Sequence, residues 1–314
     1  MQVMQRQVVI SKQCTQLSQW EAISVDEYAA FQKANGAKLI RLGSTWWARV
    51  APFFFRPLNP FLQLAPTSCK YPWGSLLGGV QHAVADPIHA NSRMRFFIYE
   101  DLQSYDLGVL SEKRRRETRR SLEYFTARRI TNPVDFLNQA HPVYQEFYER
   151  TGYGYRKQRV QRRGFQRWAE ALFSHPGFMI IGAYHRGRLA AIDVSFRIGG
   201  IIFDDLLFSD NASQRKHVTN FMVHTLRSSA AETDATWIYR GAPSTSPSLD
   251  DSKLQRGCRL LSLPANYRAN PLALALIRTF KNTQYRRLLG VDIHSSSPSH
   301  WGQEPNQRRP RQEA

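Results

Sequence analysis

The sequence predicts an α/β protein whose helices pack on a mixed sheet, and three observations predict it. Between Ser111 and Leu263 the elements run basic helix, strand, two helices, three strands, helix, strand, short helix, strand. Two of the helices are cleanly periodic. Residues 133–150 carry Phe136, Leu137, Ala140, Val143, Tyr144, Phe147 and Tyr148, and residues 214–231 carry Val218, Phe221, Met222, Thr225, Leu226 and Ser229, each set on one face that must be buried. The three strands, Phe178 to Tyr184, Arg188 to Arg197 and Ile201 to Phe208, follow almost without pause. Arg186-Gly187 and Gly199-Gly200 separate them, turn pairs that close antiparallel hairpins.

Taken in chain order, Val25 to Ala34 reads as a helix and Ala37 to Leu42 as a strand. A Pro-rich aromatic segment follows, then strands near Gly74 to Val80 and Arg93 to Tyr99. Residues 1–105 are therefore expected to form an α/β half-domain with long loops. The mostly polar stretch Asp101 to Gly108 marks a boundary, after which Ser111 is placed to cap the basic helix. A strand at Ala127 to Thr131 leads to a helix opened by Pro133, a residue suited to the first helical position. A loop with Gly152, Gly154 and Gly164 precedes a second helix, whose Phe165, Trp168, Ala169, Leu172 and Phe173 share a face. The strand ending at Phe208, the helix from Gln214 and the strand Thr236 to Tyr239 form a βαβ unit, so the two strands are expected to be parallel.

Composition sets the bounds. At 314 residues, 42% hydrophobic and 12% aromatic, the chain can bury a sizeable core in one large or two modest domains. Cys14, Cys69 and Cys258 lack metal-like spacing and are too few for a disulfide framework, which suits a reducing compartment. Met1 to Cys14 has no apolar signal core, so a cytoplasmic protein is expected. Trp46 to Pro66 is apolar but interrupted by Arg49, Arg56 and four prolines, and does not read as a membrane span. Its Trp46, Trp47, Phe53, Phe54 and Phe55 fit core packing first and a lipid headgroup layer second. The net charge of +18, from 43 basic and 25 acidic residues, calls for an anionic partner such as nucleic acid, a nucleotide cofactor or a phospholipid surface. The basic, Ser- and Pro-rich residues 291–314 are expected to be a disordered tail.

In a βαβ unit ligands bind near the strand carboxyl ends, where the crossover helix points its free NH groups. That marks Asn211 to His217 as a candidate anion site, with Ser213 as a cap and Arg215 and Lys216 adding charge. The stretch Leu110 to Ser121, Leu-Ser-Glu-Lys-Arg-Arg-Arg-Glu-Thr-Arg-Arg-Ser, resembles the basic helix that opens the catalytic domain of GNAT-fold acyltransferases related to the Fem peptidyltransferases. Lys253-Leu-Gln-Arg-Gly257, preceded by Asp250 and Asp251 and followed by a short apolar strand, is similar to the lysine, three residues, glycine motif near that domain's end. The likeness covers roughly residues 105 to 285.

The resemblance implies a GNAT-like catalytic domain over residues 106–290 that moves an acyl or aminoacyl group to an amine by direct attack. It implies acyl-CoA (acetyl-CoA) as the usual donor, with charged tRNA as the donor of the Fem branch, and a small-molecule or cell-envelope amine as acceptor. The glycine-free Asn211 to His217 departs from the Gly-rich pyrophosphate loop of acetyl-CoA enzymes. Such chemistry asks for a base to deprotonate the amine, and Asp193, Asp204, Asp205 and Tyr239 are the candidates. Asp193 alternates onto a face with Ser195 and Arg197, either a polar cavity or, the reading favoured here, solvent. One of the adjacent Asp204 and Asp205 must lie beneath a helix or in a cavity, with Asp205 preferred as functional and an ion pair as the rival reading. Lys253 and Gly257, with Ser213, Arg215 and Lys216, are read as donor-binding. Tyr153, Tyr155 and Arg156, in the loop between two helices, occupy the place family members use for acceptor contact. None of the nine histidines forms a metal-like pair, and no metal is expected. Beside these readings stands a basic module that binds nucleic acid, or touches the inner face of a membrane, without chemistry.

Overall fold

Among the described residues eleven strands join in one mixed sheet, in the order β1-β2-β3-β4-β11-β5-β10-β9-β8-β7-β6. The computed structural model describes residue 17 and residues 19–152, 156–244 and 246–290. In chain order the elements are α1 (Val25–Ala34), β1 (Leu39–Leu42), β2 (Thr45–Ala51), β3 (Phe54–Pro57), β4 (Gly79–Ala83), β5 (Ser92–Tyr99), α2 (Glu112–Leu122), β6 (Thr126–Arg129), α3 (Pro133–Thr151) and α4 (Arg162–Phe173). Then follow β7 (Phe178–His185), β8 (Arg188–Ile198), β9 (Ile201–Ser209), α5 (Asn211–Gln214), α6 (Val218–Ala231), β10 (Trp237–Tyr239), α7 (Pro247–Leu254), β11 (Arg259–Ala269), α8 (Pro271–Phe280) and α9 (Asn282–Leu289).

The apolar stripes of the sequence find their partners on the two faces of this sheet. On one face Phe136 and Tyr144 of α3 and Phe165 and Trp168 of α4 pack against Ile192, Val194, Phe196 and Phe208. Each such side chain contributes about 1.5–3 kcal/mol by leaving water. On the other face Val218, Phe221 and Met222 of α6 cover Met179, Ile181 and Ala191, and Val223, Leu226 and Ala230 cover Phe97, Tyr99, Ile202 and Ile238. Local signals set the helix starts: Ser24 and Glu27 make a capping box on α1, Ser111 accepts from the Arg114 amide at α2, and Asn132 caps α3 ahead of Pro133.

Four expectations need correction. The strand placed at Gly74 to Val80 is β4, which starts only at Gly79, because Trp73–Leu76 forms a 3₁₀ turn. The aromatic segment 46–57 holds two further strands, β2 and β3. Trp47, Phe54 and Phe55 enter the core as the favoured reading had it, while Phe53 stays exposed. The crossover helix starts at Val218 and not at Gln214, since His217 adopts φ 60 and separates α5 from α6. The short apolar strand after Gly257 is the eleven-residue β11, lodged between β4 and β5. Residues 1–14 and the tail 291–314 lie outside the described residues. Among the described residues no helix is long and apolar enough to cross a membrane.

Candidate functional site

β9 and β10 run parallel, as the βαβ reading requires, but they pair over only three rungs, Trp237, Ile238 and Tyr239 against Ile201, Ile202 and Phe203. Both strands then turn away from each other. In β9 the pairs Ser195 with Asp204 and Val194 with Leu206 leave Asp205 as an extra residue, a β-bulge that bends the strand. In β10 the chain is drawn onto β5, since Arg240 N donates to Phe97 O (2.8 Å) and Phe97 N to Gly241 O (2.9 Å), with Gly241 at φ 89. The second half of β9 therefore faces no strand on this side, and its edge amides line an opening.

The opening has a different chemistry on each face of the sheet. Toward α3 and α4 stand Asp205 and Tyr239, with Phe61 against the Tyr239 ring at 5.3 Å. Asp205 is exposed, yet enough protein surrounds it for desolvation to raise its carboxyl above the ordinary range, and Arg159 and Arg156 pull it back down. That combination suits a side chain at the edge of the gap, open to water on one side and backed by protein on the other. Burial pushes the Tyr239 hydroxyl up to about 12, with Arg56 lowering it and Asp205 raising it. Arg156 ties its loop to α1 through Asn35 O (2.7 Å) and Gln32 Oε1 (3.1 Å), and Arg159 lies over the Trp168 ring at 4.1 Å. Tyr153 and Tyr155 fall outside the described residues.

Toward α6 the wall is a buried polar row. Asp193 and Ser195 are sealed beneath the helix, so the solvent reading of Asp193 is overturned: α6 covers the face on which alternation puts it. The Ser195 hydroxyl donates to Asp193 Oδ1, and Asp193 Oδ2 has no hydrogen-bond partner among the described residues. Burial pushes the Asp193 carboxyl up to about 6, against the opposing pull of Ser195 and Arg240. Arg240 forms an ion pair with Asp204 across the gap. Of the adjacent acids, Asp204 is thus the one with a close cationic partner, and Asp205 the one in the cleft.

Lys253 borders this row, its Nζ 4.7 Å from the centre of the Phe97 ring and 4.0 Å from Asp250 Oδ1, and burial lowers its pKa. Asp250 in turn accepts from the Ser244 amide (3.0 and 2.9 Å). The spacing from Lys253 to Gly257 has a local cause. Cys258 N donates to Lys253 O (3.1 Å) and Gly257 N to Leu254 O (2.8 Å), the two bonds of a Schellman cap on α7, and Gly257 takes φ 87 as that cap demands.

The stretch Asn211 to His217 looks different from its sequence reading. Ser213 does not cap the crossover helix. It lies inside α5, where its NH donates to Asp210 Oδ1 (2.7 Å), and Glu146 Oε2 accepts from Asn211 N (2.9 Å). Two carboxylates thus already occupy these amides, and Asp210 is paired with Arg188 at 2.9 Å. Arg215 is exposed, while Lys216 Nζ meets His185 Nε2 at 2.7 Å. Arg240, Arg56 and Arg159 were missed by sequence reasoning. Of these Arg240 carried a signal, as the cation directly after an apolar strand whose parallel neighbour holds two acids.

No protein-family profile matches the chain, and no curated protein does. Solved structures do. FemX superposes with a TM-score of 0.56 at 11% identity, over 86% of this chain and 98% of FemX. The C-terminal domain of an Agrobacterium fabrum protein described as a lysylphosphatidylglycerol synthetase gives 0.56 at 11% identity, over 81% of this chain and 91% of its own. These likenesses show the fold: a mixed α/β architecture shared with FemX and with the Agrobacterium fabrum domain.

Proposed function

We propose that the protein transfers an acyl or aminoacyl group to an amine at the opening between β9 and β10. The observation that carries this reading is the parting of two parallel strands after three rungs, at a bulge whose extra residue is a carboxylate in a cleft. An amine is protonated in water and must lose a proton to attack. Asp205, its carboxyl raised by desolvation above the ordinary carboxylate range, takes that proton. The amine nitrogen then forms the new N–C bond, the bond from the carbonyl carbon to the donor's sulfur or oxygen breaks, and the departing group takes up the second proton that the nitrogen sheds. Edge amides of β9 polarise the donor carbonyl as its oxygen gains charge, and Tyr239 positions the amine. We assign this chemistry to residues 106–290, with residues 1–105 as a degenerate half-domain.

Two donors suit the opening, and one observation separates them. Acyl-CoA needs its pyrophosphate near Asn211 to His217, where Asp210 and Glu146 already hold the amides and would repel a phosphate. That favours a charged-tRNA donor, met by the exposed Arg116, Arg119 and Arg120 of α2. Incubating the protein with a panel of acyl-CoAs and with charged tRNA, then identifying retained ligand and product by mass spectrometry, tests both. Salt-sensitive tRNA retention with transfer to an amine is expected. Retention of an acyl-CoA would reverse the donor choice, and transfer by neither donor would leave only a basic binding module.

A further inference from the structure

The sheet end built by β2, β3, β4, β11 and α8 presents an apolar surface that neither the opening nor the core uses. On α8, Leu274 and Ile277 pack inward near Phe54, Tyr267 and Leu288. Leu272, Leu276 and Phe280, at i, i+4 and i+8, form a stripe on the outside, 77%, 59% and 73% exposed. Beside it the 3₁₀ turn adds Trp73, 85% exposed, and Leu76. The two pieces are joined, since Asn270 N donates to Gly78 O (2.8 Å) and Asn270 Nδ2 to Leu76 O (3.1 Å). An amphipathic helix normally turns such a stripe to a core, and a contiguous exposed apolar patch marks an interaction surface.

Charge decides what the surface meets. No Asp or Glu occurs from residue 28 to 85 or from residue 252 to 291, the two stretches that build this end of the molecule. Exposed Lys70, Arg268, Arg278 and Lys281 lie along it. A second copy would set cations against cations. We propose that this face docks in the plane of an anionic lipid bilayer, with α8 and Trp73 seated at the headgroup boundary and the flanking cations on lipid phosphates. Aromatic and leucine side chains beside Lys and Arg suit that layer, where apolar burial and attraction to anionic lipid add. A helix of ten residues lies in such a layer and does not cross it. The inference is independent of the transfer reaction.

The test is co-sedimentation of the full chain with vesicles of phosphatidylcholine alone and of phosphatidylcholine containing about one third phosphatidylglycerol. Binding to the anionic vesicles is expected, weakening as salt is raised, with about tenfold or greater loss in the Leu276→Glu/Phe280→Glu variant. Both positions are exposed, so the variant should keep the parent's circular dichroism and urea midpoint. Equal binding by variant and parent, or equal binding to both vesicle types, overturns the proposal. So does a dimer in sizing chromatography that the variant breaks while neither protein sediments with vesicles. Binding only by a chain ended at residue 290 would show that the tail covers the face, and would overturn it as well.

Discussion

Arg240, at the end of β10, is ion-paired with Asp204 of β9 across a gap that no backbone hydrogen bond spans. Both side chains are nearly buried, so each depends on the other for its hydration to be replaced. Arg240→Met leaves Asp204 as an unpaired buried charge and is expected to cost about 3–5 kcal/mol, whereas Arg240→Met with Asp204→Leu recovers most of it. Urea unfolding of the two single variants and the double variant checks this. Additive losses would show that the pair is not coupled.

Asp193 supplies a pH dependence. Burial pushes its carboxyl up to about 6 in the fold from an ordinary 3.8, so between those limits the native state holds more of the proton than the unfolded chain. Stability therefore falls as pH rises through this window, by about 3 kcal/mol at most. Asp193→Asn removes the charge and keeps the shape. It is expected to raise the urea midpoint at pH 7.5 and to leave it nearly unchanged at pH 4. A larger gain at the lower pH would contradict the argument.

The proposed role of Asp205 as general base sets a rate. Asp205→Asn should lower transfer by about 10²- to 10⁴-fold with little change in substrate affinity. In the parent, the rate should fall on acidification at a pH above the usual carboxylate range, because desolvation raises this group. Tyr239→Phe should weaken the acceptor KM more than kcat. Steady-state kinetics across pH read all three, and an unaltered pH profile in Asp205→Asn would remove this residue from the chemistry.

Gly257→Ala tests the lysine-to-glycine spacing. The residue sits at φ 87, and an added Cβ meets Arg227 Nη1 at 3.1 Å. A loss of about 1–3 kcal/mol is expected, and because the cap carries Lys253, activity should fall further than stability alone accounts for. Gly257→Asn, which tolerates the left-handed region better, should lie between the two.

From residue 106 onward the sequence was legible wherever periodicity was long. The stripes of α3, α4 and α6, the two Gly-containing turns around β8 and the helix starts at Ser111 and Pro133 all correspond to structure, because each is a local signal that tertiary contacts reinforce. The parallel pairing of β9 with β10 followed from chain order. Side-chain environment did not. Alternation put Asp193 and Ser195 on one face but could not say that α6 covers that face. A bulge at Asp205 leaves no mark in composition, and the pairing of Asp204 with Arg240 joins residues from two strands. β2 and β3 were hidden by prolines and aromatics that read as loop, and His217 broke a helix whose stripe looked continuous.

The position of β11 bears on how the molecule is made. It pairs with β4 and with β5, both complete before residue 100, and so the last strand among the described residues is a keystone for the first third. Until residue 269 has left the ribosome, β4 and β5 each expose an unmatched edge. Those bare edges invite pairing with another nascent chain, so assembly should be slow and sensitive to crowding during synthesis. A chain that stops short of β11 would present the same hazard permanently.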